Sequence, residues 1–282
     1  MRTANDLPAL DQGDLRRTLV RTEIDEDPPK FWRRLDVVSE TGSTNADLLE
    51  RVAAGESDRH VLLAEFQGSG RGRHARNWVT PRRAQIAVSV ALTMPGMQPA
   101  GMGWLPLLTG ISVVDALRSV AGVEADLKWP NDVLVGGKKV AGILAEVAQV
   151  TPDPVVVVGI GLNVALVAEE LPVPTATSLL LENASTTDRT LLVSAMLDRL
   201  AAHWTRWHDC AWSFTELAQT YREHCDTLGR RVRAELPGDN RILGTAVDVD
   251  EQGRLVIAPD KGGEPFAVSA GDITHLRATD VY

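Results

Sequence analysis

The stretch Gln67–Trp78, reading Q-G-S-G-R-G-R-H-A-R-N-W, sets Gly68, Gly70 and Gly72 among Arg71, Arg73 and Arg76. Glycine lets a backbone approach a ligand closely, and arginine offers a planar charged fork that fits phosphate or carboxylate. Together they describe a loop that wraps an anion. A second block, Lys128-Trp129-Pro130-Asn131-Asp132, places a lysine, an amide and a carboxylate around a proline turn. Such a set suits a triphosphate and its Mg²⁺, which prefers a few protein oxygens alongside phosphate oxygens. Gly136-Gly137-Lys138-Lys139-Val140-Ala141-Gly142 follows, and then Gly159-Ile160-Gly161-Leu162-Asn163, where glycines again invite close backbone approach. The chain has no G-x-x-x-x-G-K-[ST] phosphate loop and no kinase lysine–aspartate set.

These groups need elements to hold them. Phe31–Ser39 reads as a strand, and Ser43 or Thr44 caps a helix from Asn45 to about Ala54, with Gly55 as its stop. Strand Val61–Phe66 delivers the Gly/Arg loop, and Ala84–Met94 is a further strand. Leu105–Val120 has helical spacing. Short strands at Asp126–Trp129 and Val133–Val135 lead through the Gly136-Gly137 hairpin turn into a return strand, Val140–Val150. Val155–Val164 is a buried-type strand, and Leu191–Trp207 and Phe214–Cys225 are helices. Alternation along the hairpin turns Lys138 to solvent.

After Thr227-Leu228-Gly229 the pattern changes. Short alternating runs at Val232–Leu236, Leu243–Val249, Leu255–Ile257, Phe266–Val268 and Ile273–Leu276 alternate with turn signals, which predicts a small β-barrel. The division expected is a polar, partly disordered leader over 1–30, a ligand-binding domain over 31–226 and the barrel over 227–282, an α+β chain overall.

The 282 residues carry a net charge of −9, which speaks against a general nucleic-acid or anionic-membrane footprint and turns the arginines toward a small anion. Two cysteines, Cys210 and Cys225, make a disulfide framework unlikely to arise and suit a reducing cytoplasm. No signal peptide is evident, and the apolar run Val155–Val167 is too short to span a bilayer. No membrane role is expected.

The ordered set Q-G-S-G-R-G-R, K-W-P-N-D, K-V-A-G-I-L-A-E and G-I-G-L-N-V, with Ser43-Thr44-Asn45 upstream, resembles the biotin protein ligases over roughly Phe31 to Leu276. The resemblance implies a mixed-sheet catalytic domain related to class II aminoacyl-tRNA synthetases and a C-terminal SH3-like barrel. It implies two steps: biotin carboxylate attacks the α-phosphate of MgATP to give biotinyl-5′-AMP and pyrophosphate, and a lysine of a biotin carboxyl carrier domain then takes the biotinyl group. It also assigns roles. Ser43, Thr44, Asn45 and Gln67 bind biotin. Arg71, Gly72 and Arg73 close over biotin and the adenylate phosphate, and Arg76 adds to the adenylate site. Trp78 stacks on adenine. Lys128, Asn131 and Asp132 hold triphosphate and Mg²⁺, Asp132 as the metal ligand. Lys139 touches the reacting carboxylate, and Asn163 helps bind the nucleotide. One departure is Ala75, where the family loop commonly has glycine.

Taken singly, each block has a plainer reading: an exposed arginine-rich turn, a proline turn with a solvated aspartate, packing glycines at a strand end, a helix cap. His203, His208, Cys210, His224 and Cys225 match no common zinc spacing and read as helix surface and packing. The nearest alternative is a lipoate–protein ligase. A biotin-responsive repressor needs a winged helix of about 60 residues, and the acidic segment of about 30 to 40 residues before the catalytic block does not provide one. The resemblance leaves both a monomer and a weak homodimer open.

Overall fold

The computed structural model describes residues 7–20, 30–56, 58–73, 77–78, 81–236, 240–268 and 272–275. Its centre is a seven-stranded sheet with strand order β1-β2-β3-β7-β6-β5-β4. The strands are β1 (Arg34–Val38), β2 (His60–Ala64), β3 (Gln85–Thr93), β4 (Ala125–Lys128), β5 (Asp132–Val135), β6 (Lys138–Gln149) and β7 (Val155–Asn163). β1 and β2 run parallel and every other neighbouring pair is antiparallel, so the sheet is mixed as expected. Gly136 and Gly137, at φ of 57° and 75°, make the β5–β6 turn in a conformation that costs glycine little.

One face of the sheet is covered by α3 (Trp104–Ala116) and α4 (Arg189–Asp209), with α5 (Thr215–His224) alongside α3. All but two of the α3 residues are buried, so this helix is apolar on every side. A 3₁₀ turn, Pro99–Gly103, precedes it, and a π turn, Leu117–Ala121, follows it. The continuous stretch Pro99–Ala121 is therefore longer and more helical than the expected Leu105–Val120. By length and composition it could cross a membrane, yet two-thirds of its most apolar window is buried inside the protein. It is a core helix. The opposite face carries α2 (Thr44–Ala53), which packs Leu48 and Val52 on Leu62, Ala91 and Val157. Ser43 Oγ accepts from the Ala46 amide as its N-cap.

Part of the leader is built into the fold. Within it, Gln12–Leu19 forms α1, capped by Asp11, with Leu15 and Leu19 fully buried against the core. These two leucines are four residues apart and share one helix face. Their charged neighbours Asp14, Arg16 and Arg17 hide that stripe in a polarity reading. The leader is also anchored by a buried ion pair: Arg189 Nη2 lies 2.7 Å from Glu65 Oε2 and also donates to the Pro8 carbonyl, while Glu65 Oε1 accepts from the Leu10 amide.

The C-terminal unit is a five-stranded antiparallel sheet, order β11-β10-β9-β8-β12, from β8 (Arg231–Leu236), β9 (Asn240–Val249), β10 (Leu255–Pro259), β11 (Phe266–Val268) and β12 (Asp272–His275). It is joined to the catalytic unit by tryptophans: Trp104 Nε1–H donates to the Glu251 carbonyl and Trp129 Nε1–H to the Gly253 carbonyl.

Candidate active site

The register of the sheet builds the floor. Gly159 sits opposite Ser89, Gly161 opposite Ala87, and Asn163 opposite Gln85; on the other side Gly142 pairs with Gly161 and Leu144 with Gly159. Side chains alternate across a strand, so Gln85, Ala87 and Ser89 share one face while Ile86, Val88 and Val90 serve the core behind it. The small residues on the first face leave room for a cavity of about 650 Å³. Ser43, Thr44, Asn45, Gln67, Arg71, Gly72, Arg73, Trp78, Lys128, Asn131, Asp132, Lys139 and Asn163 all line it. Arg76 and Ala75 lie outside the described residues.

At one end is a buried polar relay. The Thr44 amide donates to Gln67 Oε1 at 2.8 Å, Thr44 and Ser89 hydroxyls are 2.7 Å apart, and Ser89 Oγ donates to Asn45 Oδ1 at 2.6 Å. Asn45 Nδ2 passes on to the Leu144 carbonyl and the Glu146 carboxylate. The Thr44 hydroxyl also lies 2.9 Å from Gln67 Oε1, so its one proton has two acceptors in reach, Gln67 Oε1 and Ser89 Oγ. Gln67, Thr44, Ser89 and Asn45 are all buried, so these donors and acceptors are held in low dielectric, where misalignment is costly. The contact to Gly159 is tight: a Cβ there would stand 2.3 Å from Asn45 Oδ1.

In the middle, Trp78 lies on glycine backbone. A Cβ at Gly161 would fall 2.5 Å from its Cε2 and Nε1, and one at Gly142 would fall 3.2 Å from Cζ3. The Trp78 amide donates to the Gly70 carbonyl at 2.7 Å, so the Gly/Arg loop is tied at its base, where Arg71 also bridges to Asn77. Lys139 Nζ lies 5.3 Å from the Trp78 ring centroid and 2.6 Å from Asp132 Oδ1. Arg73 Nη1 donates to Asn131 Oδ1 at 3.3 Å, and Asn131 Nδ2 donates to the Ile143 carbonyl. Asn163 Nδ2 is directed to the Thr177 carbonyl, which stabilises the segment Thr175–Thr177 beside Lys139. Lys138 faces solvent, as its hairpin position predicts.

Asp132 is the expected metal ligand, with Asn131 beside it on the nucleotide. Asp132 bears on Lys139 in this structure, and among the described residues no three His, Cys, Asp or Glu side chains gather as a metal cage. The pair fits a Mg²⁺ that arrives with nucleotide phosphates and keeps several waters, the usual manner for this ion. His203 and His224 turn out to share one partner, the Asp115 carboxylate, at 2.8 and 3.3 Å, which ties α4 and α5 to α3.

Sequence reading missed Ser89 and the C-terminal residues Arg233, Glu235 and Ile273, which line the same cavity, and Gln85 and Glu146, which stand behind it on Trp78 and Asn45. For Ser89 and Gln85 a signal existed, two polar residues four apart in a strand whose one other polar residue is its last, Thr93. For Arg233 and Glu235 none did, since their placement follows from how the two units meet. His275 stands behind the Lys128–Asp132 turn: its Nε2 is 3.0 Å from Thr227 Oγ1, which accepts from the Trp129 amide at 3.0 Å. Burial, then the nearby Lys128 charge, pulls His275 down to about 4.

The model of the Biotin/lipoate A/B protein ligase family matches residues 38–163, and that of the Biotin protein ligase C terminal domain matches 227–276. A biotin–[acetyl-CoA-carboxylase] ligase of Mycobacterium tuberculosis is 46% identical over 274 residues, covering 96% of this chain and 97% of that protein. The bifunctional ligase/repressor BirA of Bacillus spizizenii is 30% identical over 233 residues, or 80% of this chain and 69% of its own length. The crystallised biotin protein ligase of Aquifex aeolicus in complex with biotin and ATP superposes with a TM-score of 0.72 at 27% identity, over 87% of this chain and all of that one. The chain belongs to the biotin protein ligases.

Proposed function

We propose that this protein activates biotin with ATP and passes it to a lysine of a biotin carboxyl carrier domain. The observation that carries the reading is the single cavity that holds the Gln67–Thr44–Ser89–Asn45 relay at one end and Trp78, Lys139, Asp132 and Lys128 at the other. A ureido ring has both N–H donors and a carbonyl acceptor, and a row of buried amide and hydroxyl groups matches it. A lipoyl tail would ask for an apolar tunnel there.

In the first step a biotin carboxylate oxygen forms a bond to the α-phosphorus and pyrophosphate leaves. In the second the carrier amine attacks the acyl carbon, AMP leaves, and the amine gives up a proton. The approaching carboxylate and triphosphate repel, so the residues between them must supply positive charge. Arg71, Arg73 and Lys139 do so, and Lys128 meets the outer phosphates. Charge fixed in place before reaction is the most effective form of this help. Asp132 holds the Lys139 ammonium in position, and with Asn131 would hold Mg²⁺, which neutralises phosphate charge when it is bound. Trp78 offers its open face to adenine, with Asn163 and the Thr175–Thr177 segment beside it.

The finer readings follow the same logic. The five C-terminal strands curl as an SH3-like barrel, bordering the phosphate end of the cavity through Arg233 and Glu235. Residues 31–226 act as the catalytic domain and 227–282 as the barrel. Two unpaired thiols suit the cytoplasm. The net charge of −9 argues against a nucleic-acid partner, and a monomer or weak homodimer would suffice because one chain supplies the whole cavity.

The test is incubation with MgATP, a carrier domain and either biotin or lipoate, read by intact mass. A biotinyl adduct on one lysine is expected. A lipoyl adduct, or none with either acid, overturns the reading.

A further inference from the structure

Gln85 stands out among the buried groups that the mechanism does not use. It begins β3, is 1% exposed, and lies between the buried residues Ala84 and Ile86. Its Oε1 accepts from Trp78 Nε1–H at 2.7 Å, while its Nε2 has no hydrogen-bond partner. A buried amide left half satisfied is unfavourable, and an apolar residue would pack there without that penalty. Its retained half-bond goes to one atom of the nucleotide site.

The remaining contacts of Trp78 explain why that bond matters. Gly161 and Gly142 support the indole face from below, and Lys139 Nζ stands 5.3 Å from its ring centroid. Neither contact fixes rotation of the ring within its own plane, because glycine backbone is smooth and an ammonium–ring attraction is broad in angle. A hydrogen bond is directional, and weakens steeply away from linearity. The strand that carries Gln85 is rigid: the same residue is paired with Asn163, and its carbonyl accepts from Arg189 Nη1, which is buried with Glu65.

The geometry points to Gln85 as the positioning residue that holds the Trp78 indole at the angle from which it receives the adenine ring. This rests on the reading of Trp78 as the adenine platform. Gln85 does not line the cavity itself, so it acts through Trp78 and selects for the nucleotide without touching it.

The experiment is a double-mutant cycle on biotinyl-adenylate formation with KM for ATP and for biotin measured separately. Gln85→Met removes the acceptor at similar volume. It is expected to raise KM for ATP about five- to tenfold, the value of one hydrogen bond, and to leave KM for biotin unchanged. In a Trp78→Phe background, which has no indole N–H, the same substitution should change nothing further. Equal penalties in both backgrounds, or no effect of Gln85→Met, overturn the assignment. If Trp78→Phe and Trp78→Ala leave KM for ATP untouched, the adenine reading itself fails, a distinct result. Should Gln85→Met not fold, replacing Trp78 by its benzothiophene isostere removes the donor and leaves Gln85 in place. That variant should show the same rise in KM for ATP, and an unchanged value overturns the assignment.

Discussion

At Gly161 the space a methyl group would fill is already taken by the Trp78 indole, and at Gly159 it is taken by the Asn45 amide. The two glycines are two residues apart on one strand, Gly159 under the polar relay at one end of the cavity and Gly161 under Trp78 in its middle. Gly159→Ala therefore pushes on the Asn45 relay, proposed to hold biotin, and Gly161→Ala pushes on the Trp78 indole, proposed to receive adenine. Each obstruction would displace a ligand-contacting group by about 1 Å, a shift that can cost roughly a hundredfold in activity. Gly159→Ala should raise KM for biotin more than KM for ATP, and Gly161→Ala should do the reverse; steady-state pyrophosphate release at varied biotin and ATP checks both. A uniform loss in both variants would mean that the cavity is not divided in this way. The residues that touch both glycines differ in how visible they were. Asn45 and Trp78 stand in recognisable blocks. Ser89 and Gln85 are single polar residues in a strand, and only the pairing of β3 with β7 shows that they face the ligand side.

At the scale of elements, alternation and capping were legible: the Ser43 cap, the Gly136-Gly137 turn and the strand runs from Val61 to Val164 match the observed elements to within a few residues. Strand order was not legible, because the register of β3 against β7 is a long-range property. Nor was α1, whose buried leucines are masked by charged neighbours. The short strand β12 carries a consequence of its own. His275 faces Thr227, Asp226 and the charges of Lys128 and Arg230, and burial with the Lys128 charge lowers it from 6.5 to about 4. The folded protein keeps it neutral where the unfolded chain would already bind a proton. Its contribution is complete above pH 6.5 and is lost as pH falls toward about 4. The thermal midpoint should fall across that window, and His275→Gln should flatten the fall. His60, lowered by burial, supplies a smaller remainder of the same sign. A pH profile of thermal unfolding identical in the variant would remove His275 from this account.

For the molecule as a whole, the phosphate turn is held from behind by the C-terminal unit. The Trp129 amide binds Thr227, its indole binds the Gly253 carbonyl, and the residue is 2% exposed. Trp104, fully buried, makes a parallel contact to Glu251 one turn away. The two units thus share one buried seam, and Asn131 and Asp132 extend directly from it into the cavity. Trp129→Phe keeps most of the apolar contact but leaves the Gly253 carbonyl without its buried donor, at a cost of about 1–3 kcal/mol. Because the seam is shared, this loss should lower one common thermal transition and not split it into two. Because the turn hangs on the seam, KM for ATP should rise while KM for biotin, set at the far end of the cavity, stays the same. Differential scanning calorimetry and the two KM values check these outcomes together. A split transition with unchanged KM for ATP would show that the C-terminal unit stands beside the phosphate turn without holding it.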